Sequence, residues 1–543
     1  MSVRNAIVSL LSFSTLLFLA ACGSNGGGIA NPVAPPSGGF SASNLNGTYV
    51  FSISGTDSTG FSYAMVGTFT ANGSGGITGG AFDLTDLNGT EFTTGPIPNA
   101  SIASSSTYHV GVDGRGQATL NTSITNFNPV LDFVLSSNSQ GQVTEFDNFG
   151  SGSGTLDAQT ANVTPTGSYA FSLSGAAGAS GNSPWATVGN FTLTGTTLTG
   201  SDDLNEAVLL NYADSMLTGT LALGPSTTPS STLTIGTIFS GTFDVVAIDA
   251  THLKYIEMDP TATLSGDAYS QSTTAFPTGT LAFTLDGLTA AGAPIAAGGL
   301  MTTESGDAIT GTEDYNVDGS NIPTSPLAFT ATYTPDPNDA GRYTLAIPSG
   351  TFVGGTTYTA YPSSGGLLLL EVDTAGITVG AGYTQTAGAT FGTASEGYGL
   401  NLSGINLSQG VEVDDIAEFT ANPTGTAITG IIDENYTGAD GGQFLSEPFY
   451  NSSYTTPANG RGSITAYTGT SSVPGTLNGG FFLTYYPVDG TTYPFIEMDS
   501  GQVAAGVFVQ QSTPGSSSAI AKTHSMFVPR PLVRPNSARQ KKN

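Results

Sequence analysis

The sequence predicts an all-β chain of four tandem units, each an antiparallel up-and-down, barrel-like meander of about eight strands, with β-sandwich units as the alternative. Three observations carry that prediction. The stretch Gly47-Thr48-Tyr49-Val50-Phe51-Ser52-Ile53-Ser54-Gly55 returns as Gly167-Ser168-Tyr169-Ala170-Phe171-Ser172-Leu173-Ser174-Gly175 and as Gly279-Thr280-Leu281-Ala282-Phe283-Thr284-Leu285-Asp286-Gly287. A fourth copy, one residue shorter, is Gly397-Tyr398-Gly399-Leu400-Asn401-Leu402-Ser403-Gly404. From Tyr49 to Tyr169 to Leu281 to Tyr398 the spacings are 120, 112 and 117 residues, a domain-sized period longer than that of solenoids or propellers. Each copy alternates apolar and small polar residues between glycines, as a half-buried strand bounded by turns does. In composition, 9% charged residues and 74 glycines among 543 residues suit short strands joined by turns. Recurring Phe, Tyr, Ile and Leu at fixed offsets argue against disorder.

The elements follow in chain order. Arg4 and the apolar run Ala6 to Ala21 predict an export signal too short to span a membrane. The run closes on Leu19-Ala20-Ala21-Cys22, and Cys22 is the only cysteine of the chain. This resembles the lipobox of bacterial lipoproteins, and the resemblance implies cleavage before Cys22 and acylation of its sulfur and new amino group. Several acyl chains on one residue give a firm membrane anchor. Gly23-Ser24 lacks the aspartate that lipoprotein families use for inner-membrane retention, which implies the outer membrane in a cell with two. A Gly-, Ala-, Pro- and Ser-rich tether follows. The resulting boundaries are 1–21 for the signal peptide, 22–43 for lipidated cysteine and tether, 44–161, 162–275, 276–391 and 392–513 for the units, and 514–543 for a disordered basic tail.

Within each unit a second strand is expected at Val66-Gly67-Thr68-Phe69-Thr70, Val188-Gly189-Asn190-Phe191-Thr192, Ala297-Gly298-Gly299-Leu300-Met301 and Ile416-Ala417-Glu418-Phe419-Thr420. A third leads from Ile77-Thr78-Gly79, or its counterparts, into an acidic turn. That turn is Asp203-Leu204-Asn205, Asp314-Tyr315-Asn316 and Asp433-Glu434-Asn435 in the last three units. In the first it is displaced to Asp86-Leu87-Asn88, with Asp83 as a rival alignment. Asp113-Gly114-Arg115 and Asn459-Gly460-Arg461 mark hairpins, since such tight turns need positive φ, and Gly341-Arg342 marks another. Each unit is expected to close on a glutamine: Gln159, Gln271, Gln385 and Gln510. The pattern looks like small barrels of the lipocalin and avidin type, without the binding residues of either family. The whole is similar to repeat-bearing exported bacterial lipoproteins of uncharacterised activity, a likeness that supplies no chemistry.

Charge excludes some partners. All 40 acidic residues lie from Asp57 to Asp499, while Gly23 to Ala521 holds only Arg115, Lys254, Arg342 and Arg461, giving 4 − 40 = −36. Such a body repels nucleic acid and anionic lipid heads. The tail carries Lys522, Arg530, Arg534, Arg539, Lys541 and Lys542 and no acid, and reads as a solubilising end.

The candidate chemistry is a Glu-x-Asp pair in every unit: Glu145 and Asp147, Glu257 and Asp259, Glu371 and Asp373, Glu497 and Asp499. Carboxylates at i and i+2 of a strand point to one face. The first reading is structural, with each Glu paired to the base of its own unit (Arg115, Lys254, Arg342 or Arg461) and each Asp holding a turn. The second is a calcium site, since hard cations take clustered oxygens. The third is an acid/base pair for polysaccharide hydrolysis in one diverged unit. No other cofactor is expected. His109, His252 and His524 lack metal-ligand spacing and matching repeat positions, and neither a Gly-x-Ser-x-Gly elbow nor a phosphate loop is present. The sequence therefore points to an anchored binding or structural protein, an adhesin or spacer meeting envelope glycan, another surface protein or a small ligand. A glycoside hydrolase is the alternative.

Overall fold

Alternation decides how each strand lies. In the first strand of unit 1 (Asn46–Asp57), Tyr49, Phe51 and Ile53 enter the core, so Val50, Ser52 and Ser54 face outward. The computed structural model describes residues 32–86, 95–177, 183–206, 210–222, 231–236, 240–436, 443–468 and 480–512. Cys22, its leader and the basic tail lie outside the described residues.

One ladder register is repeated four times: Tyr49 opposite Phe69, Tyr169 opposite Phe191, Leu281 opposite Met301, and Tyr398 opposite Phe419. Met301, not Leu300, therefore takes the core position of the second strand in unit 3. A shift of one residue exchanges the two faces of a strand, and Leu300 accordingly packs outside the barrel.

Units 2, 3 and 4 are closed eight-stranded antiparallel barrels, the first strand of each pairing with the last. Unit 1 is a curled sheet of nine strands, because the fourth strand is broken in two. Its first part (Ile97–Ile102) pairs with the third strand and its second (Thr107–Val110) with the strand that opens at Arg115. The gap is bridged at Ile102 and Thr122, and Ala103 N–H donates to the Asn121 carbonyl at 2.8 Å. Where first and last strands meet, glycine is a steric requirement. A Cβ at Gly55 would lie 1.9 Å from the Ser151 oxygen, and one at Gly154 would lie 1.7 Å from the Ser52 oxygen.

Among the described residues, the interiors of units 3 and 4 are filled. Each unit has its own core of aromatic and branched side chains, and the voids left inside units 3 and 4 are ≈ 20 Å³ each. Ligand pockets run to hundreds of cubic ångströms, about 300 or more. The segment before unit 1, expected to be a tether as far as Ser43, is docked through Pro35 and Phe40. Phe40 is buried in the core of unit 1, its N–H bonded to the Val112 carbonyl at 3.0 Å, and a buried Pro35 abuts Gly397 of unit 4. An aromatic side chain at position 40 gains more from burial than a free tether would allow.

The four units form a ring. The second and third strands of one unit pack on the last strands of the next, from 1 to 2, 2 to 3 and 3 to 4, and from 4 back to 1. Small apolar side chains fill these junctions: Val50, Ala64 and Val66 against Val246, Ile248 and Ile256, for example. Successive contacts of this head-to-tail kind close into a ring when the rotation between neighbours permits.

Candidate functional site at the junctions between units

The four scarce bases and most of the repeated polar motifs meet at these junctions. The hairpin glycine of unit 3, Gly341, has φ 99° and is followed by Arg342, which reaches into unit 2. Arg342 Nε and Nη2 donate to the two oxygens of Asp203 at 2.9 and 2.7 Å, Nη1 donates to Asp336 at 2.8 Å, and Tyr361 Oη adds a 2.6 Å bond to Asp203. Unit 4 repeats the device on unit 3: Arg461 donates to Asp314 at 2.6 and 2.7 Å, with Tyr486 at 2.8 Å. Unit 1 repeats it on unit 4, with Arg115 Nη1 on Asp433 at 2.6 Å and Nε on Asp113 at 2.9 Å. The planar guanidinium can hold both carboxylate oxygens, which suits it to such a buried position.

These arginines were expected on the glutamate of their own unit, and they are not there. The two side chains stand on opposite faces of the sheet. Ile464 and Ala466 enter the barrel of unit 4, so Arg461 faces out, whereas Glu497 follows Tyr493 and Phe495 inward. Lys254 likewise faces away from Glu257. It pairs with Asp267 at 2.7 Å, and His252 Nε2 lies 2.6 Å from the same carboxyl. The importance of His252 and Asp267 had no signal in the repeat, since neither recurs in other units.

The Asn of Asp-x-Asn completes the junction. Asn316 Nδ2 donates to the carbonyls of Glu497, Asp499 and Gln502 at 3.0, 2.8 and 2.8 Å. Asn205 serves Glu371 and Gly376, and Asn435 serves Glu145 and Gly150. The Glu-x-Asp turn is thus the neighbour's landing point through its backbone. The closing glutamines also cross: Gln159 to Ala247, Gln271 to Pro362, Gln385 to Pro487, and, at 2.7 and 3.0 Å, Gln511 to Asp113 and Leu135. In unit 4 the crossing residue is Gln511 rather than Gln510, which ends the last strand.

The Glu-x-Asp side chains stay within their units. Asp147 accepts Val130 and Phe149 N–H, Asp259 accepts Thr242 N–H, Asp373 accepts Thr356, Thr357 and Ala375 N–H, and Asp499 accepts Gly501 N–H. The glutamates are buried, with relative exposures of 0, 2, 1 and 0% for Glu145, Glu257, Glu371 and Glu497. Burial pushes Glu257 and Glu371 up to about 8 and holds Glu145 and Glu497 well above the usual carboxyl range. Glu145 accepts a bond from Tyr63 Oη, and Glu371 one from Thr378 Oγ1 at 2.8 Å. Among the described residues no group of three His, Cys, Asp or Glu side chains is arranged to hold a metal ion.

The junction between units 1 and 2 differs. Its acidic position is Asp83, followed by Leu84 and Thr85, so the rival alignment is the one adopted. Asp83 accepts Asn99 N–H at 2.6 Å, as Asp203 and Asp433 accept Asp214 and Ser446, each donor having positive φ. In place of an arginine it faces Asp244 of unit 2; burial first, then this neighbour, push it up to about 8 against the pull of the Asn99 amide. Thr85 replaces the asparagine and reaches the Ala262 carbonyl at 3.5 Å. A polar cavity of ≈ 30 Å³ lies between the two units, lined by Ser52, Ser54, Ser172, Ser174, Lys254 and Asp267 among others. It has room for a water or two.

No protein-family model matches the chain, and no curated protein matches it. Among solved structures, a single-substitution mutant of the vaccine antigen Transferrin Binding Protein B (TbpB) from Haemophilus parasuis Hp5 is aligned over 73% of this chain and 85% of that one, at 9% identity and a TM-score of 0.17. The fold described above rests on the strand pairing alone.

Proposed function

We propose that this chain is an exported lipoprotein, anchored through Cys22 in the cell envelope, whose four barrels form one rigid binding or spacing platform. One observation supports this most. The hairpin arginines of three units and the Asp-x-Asn turns of three units are spent on joining the units, and the Glu-x-Asp glutamates of all four are buried. A polysaccharide hydrolase needs its two carboxyls across an accessible cleft. A platform needs rigid spacing, so that several weak sites engage together.

The reading is tested on the purified whole chain with envelope polysaccharides, following both reducing-end release and retention. Retention without release is expected; release that disappears in Glu497→Gln or Glu371→Gln overturns the reading in favour of an enzyme. For the anchor, radioactive palmitate should label the wild type and spare Cys22→Ala, and equal labelling of both refutes it.

A further inference from the structure

Among the described residues, the outer wall of unit 4 carries a cluster of aromatic rings. Across its fourth, fifth and sixth strands (Gln443–Tyr454, Gly462–Thr468 and Gly480–Tyr485), two cross-strand rows lie side by side. One is Tyr450, Tyr467 and Gly480, and the other is Ser453, Thr465 and Phe482. Directly paired residues share a face, so three rings and two hydroxyls stand together on the outside. Tyr450 and Phe482 are 40 and 38% exposed, far above the core aromatics. The rings are held in place: Tyr467 and Phe482 meet edge to face with centroids 6.1 Å apart. Gly480 lets the Tyr467 ring lie across the sixth strand, since a Cβ there would fall 2.8 Å from the ring. Beside Tyr450, Asn451 has φ 46°, a conformation a non-glycine residue adopts at a cost, and the ladder shifts register at this point. The matching wall of unit 3 presents Ala328, Thr330 and Thr332 instead.

We infer that this wall is a stacking platform for a neutral glycan, a proposal that rests on the binding-platform reading and names its ligand class. Aromatic faces take the C–H face of a pyranose, and Ser453 and Thr465 stand where its rim hydroxyls need partners. Charge selects among occupants. The two rows contain no charged side chain, and the acidic body repels anionic polymers. Size selects too: three rings make far less than the roughly 800 Å² per partner of a stable protein interface, but enough to seat one or two sugar rings.

The test is calorimetric titration of the whole chain with cellohexaose, chitohexaose and polygalacturonate. A neutral hexasaccharide should bind, polygalacturonate should bind less well, and Tyr450→Ala with Phe482→Ala should lose at least about tenfold in affinity, roughly the worth of one stacked ring. Both positions are exposed, so the melting temperature should be unchanged, and Tyr450→Phe should keep affinity. Undiminished binding by the double variant overturns the proposal and leaves the platform reading standing, with the glycan seated elsewhere. Preference for polygalacturonate, or no binding of either neutral hexasaccharide, also overturns it. Only reducing-end release dependent on the buried glutamates would remove the platform reading as well.

Discussion

The junction between units 2 and 3 and the junction between units 1 and 2 bury equivalent strands, yet they neutralise the same aspartate by different means. Asp203 takes a guanidinium from the next unit, whereas Asp83 has Asp244 opposite it and keeps a proton. A buried ionised pair of carboxyls is too costly, so a junction without a base must borrow its neutrality from solvent. The arginine junction holds its charge balance over the whole working pH range, and the other holds it only while protons are available.

The largest expected effect is therefore of pH. Burial pushes Asp202 and Asp414 up to about 7, Glu257, Glu313 and Glu371 up to about 8, and Glu418 up to about 9, alongside Asp83. With unfolded values near 4, the folded chain binds more protons than the unfolded one between about pH 4 and 9. This stabilisation is complete below about pH 4 and is lost as pH rises through 7 to 9. Asp336 and Asp373, held below their ordinary values by backbone amides, work the other way and weaken the fold at strongly acid pH. Thermal unfolding should thus peak on the acid side of neutrality and fall towards pH 9, and Asp244→Asn should flatten that fall. A melting temperature that rises from pH 6 to 9 would contradict the account.

Next in size is loss of an arginine. Arg342→Ala leaves Asp203 buried without its counter-ion and should cost about 3–5 kcal/mol in urea unfolding. Arg461→Ala should cost less, about 1–3 kcal/mol, because that side chain is 33% exposed against 7% for Arg342. Equal losses would break the link between burial and cost.

A double-mutant cycle sharpens who pairs with whom. Arg461→Ala and Asp314→Asn should couple by about 0.5–3 kcal/mol, while Arg461→Ala and Glu497→Gln should add within about 0.5 kcal/mol. The reverse result would return the arginine to the glutamate of its own unit. The smallest effect is expected at the glutamines. Gln511→Ala removes its bonds to the Asp113 and Leu135 carbonyls and should cost about 1–2 kcal/mol in chemical unfolding.

The strands were legible because alternation and turn glycines are local signals. The copies headed by Tyr49, Tyr169, Leu281 and Tyr398 carry both the barrel core and its period. The pairing of arginine with a neighbouring unit was not legible from spacing, since Arg461 and Glu497 are close in the chain and Arg461 and Asp314 are far apart. Face parity did carry the clue, for Ile464 and Ala466 send Arg461 outward just as Tyr493 and Phe495 send Glu497 inward. So did a coincidence of absences: unit 2 lacks the hairpin arginine, and unit 1 is the unit whose acidic turn departs from Asp-x-Asn. The offset of one unit between those absences is the offset of the contact. The rings at Tyr450, Tyr467 and Phe482 left no mark in the repeat, because the matching wall of unit 3 has Ala328, Thr330 and Thr332 instead.

Closure of the ring makes the number of repeats a fixed integer. In an open array each added repeat meets the same neighbour, and special caps protect the two ends. Here every unit offers an aspartate socket on one side, the hairpin arginines of units 1, 3 and 4 plug the socket of the unit before, and the plug that fills the socket of unit 4 is the first unit's own. Deleting or duplicating one unit would leave a socket and a plug facing no mate across the wrong angle. Such a chain can change a unit's surface freely, as unit 4 has done, but it cannot lengthen or shorten by single duplications as a linear array can.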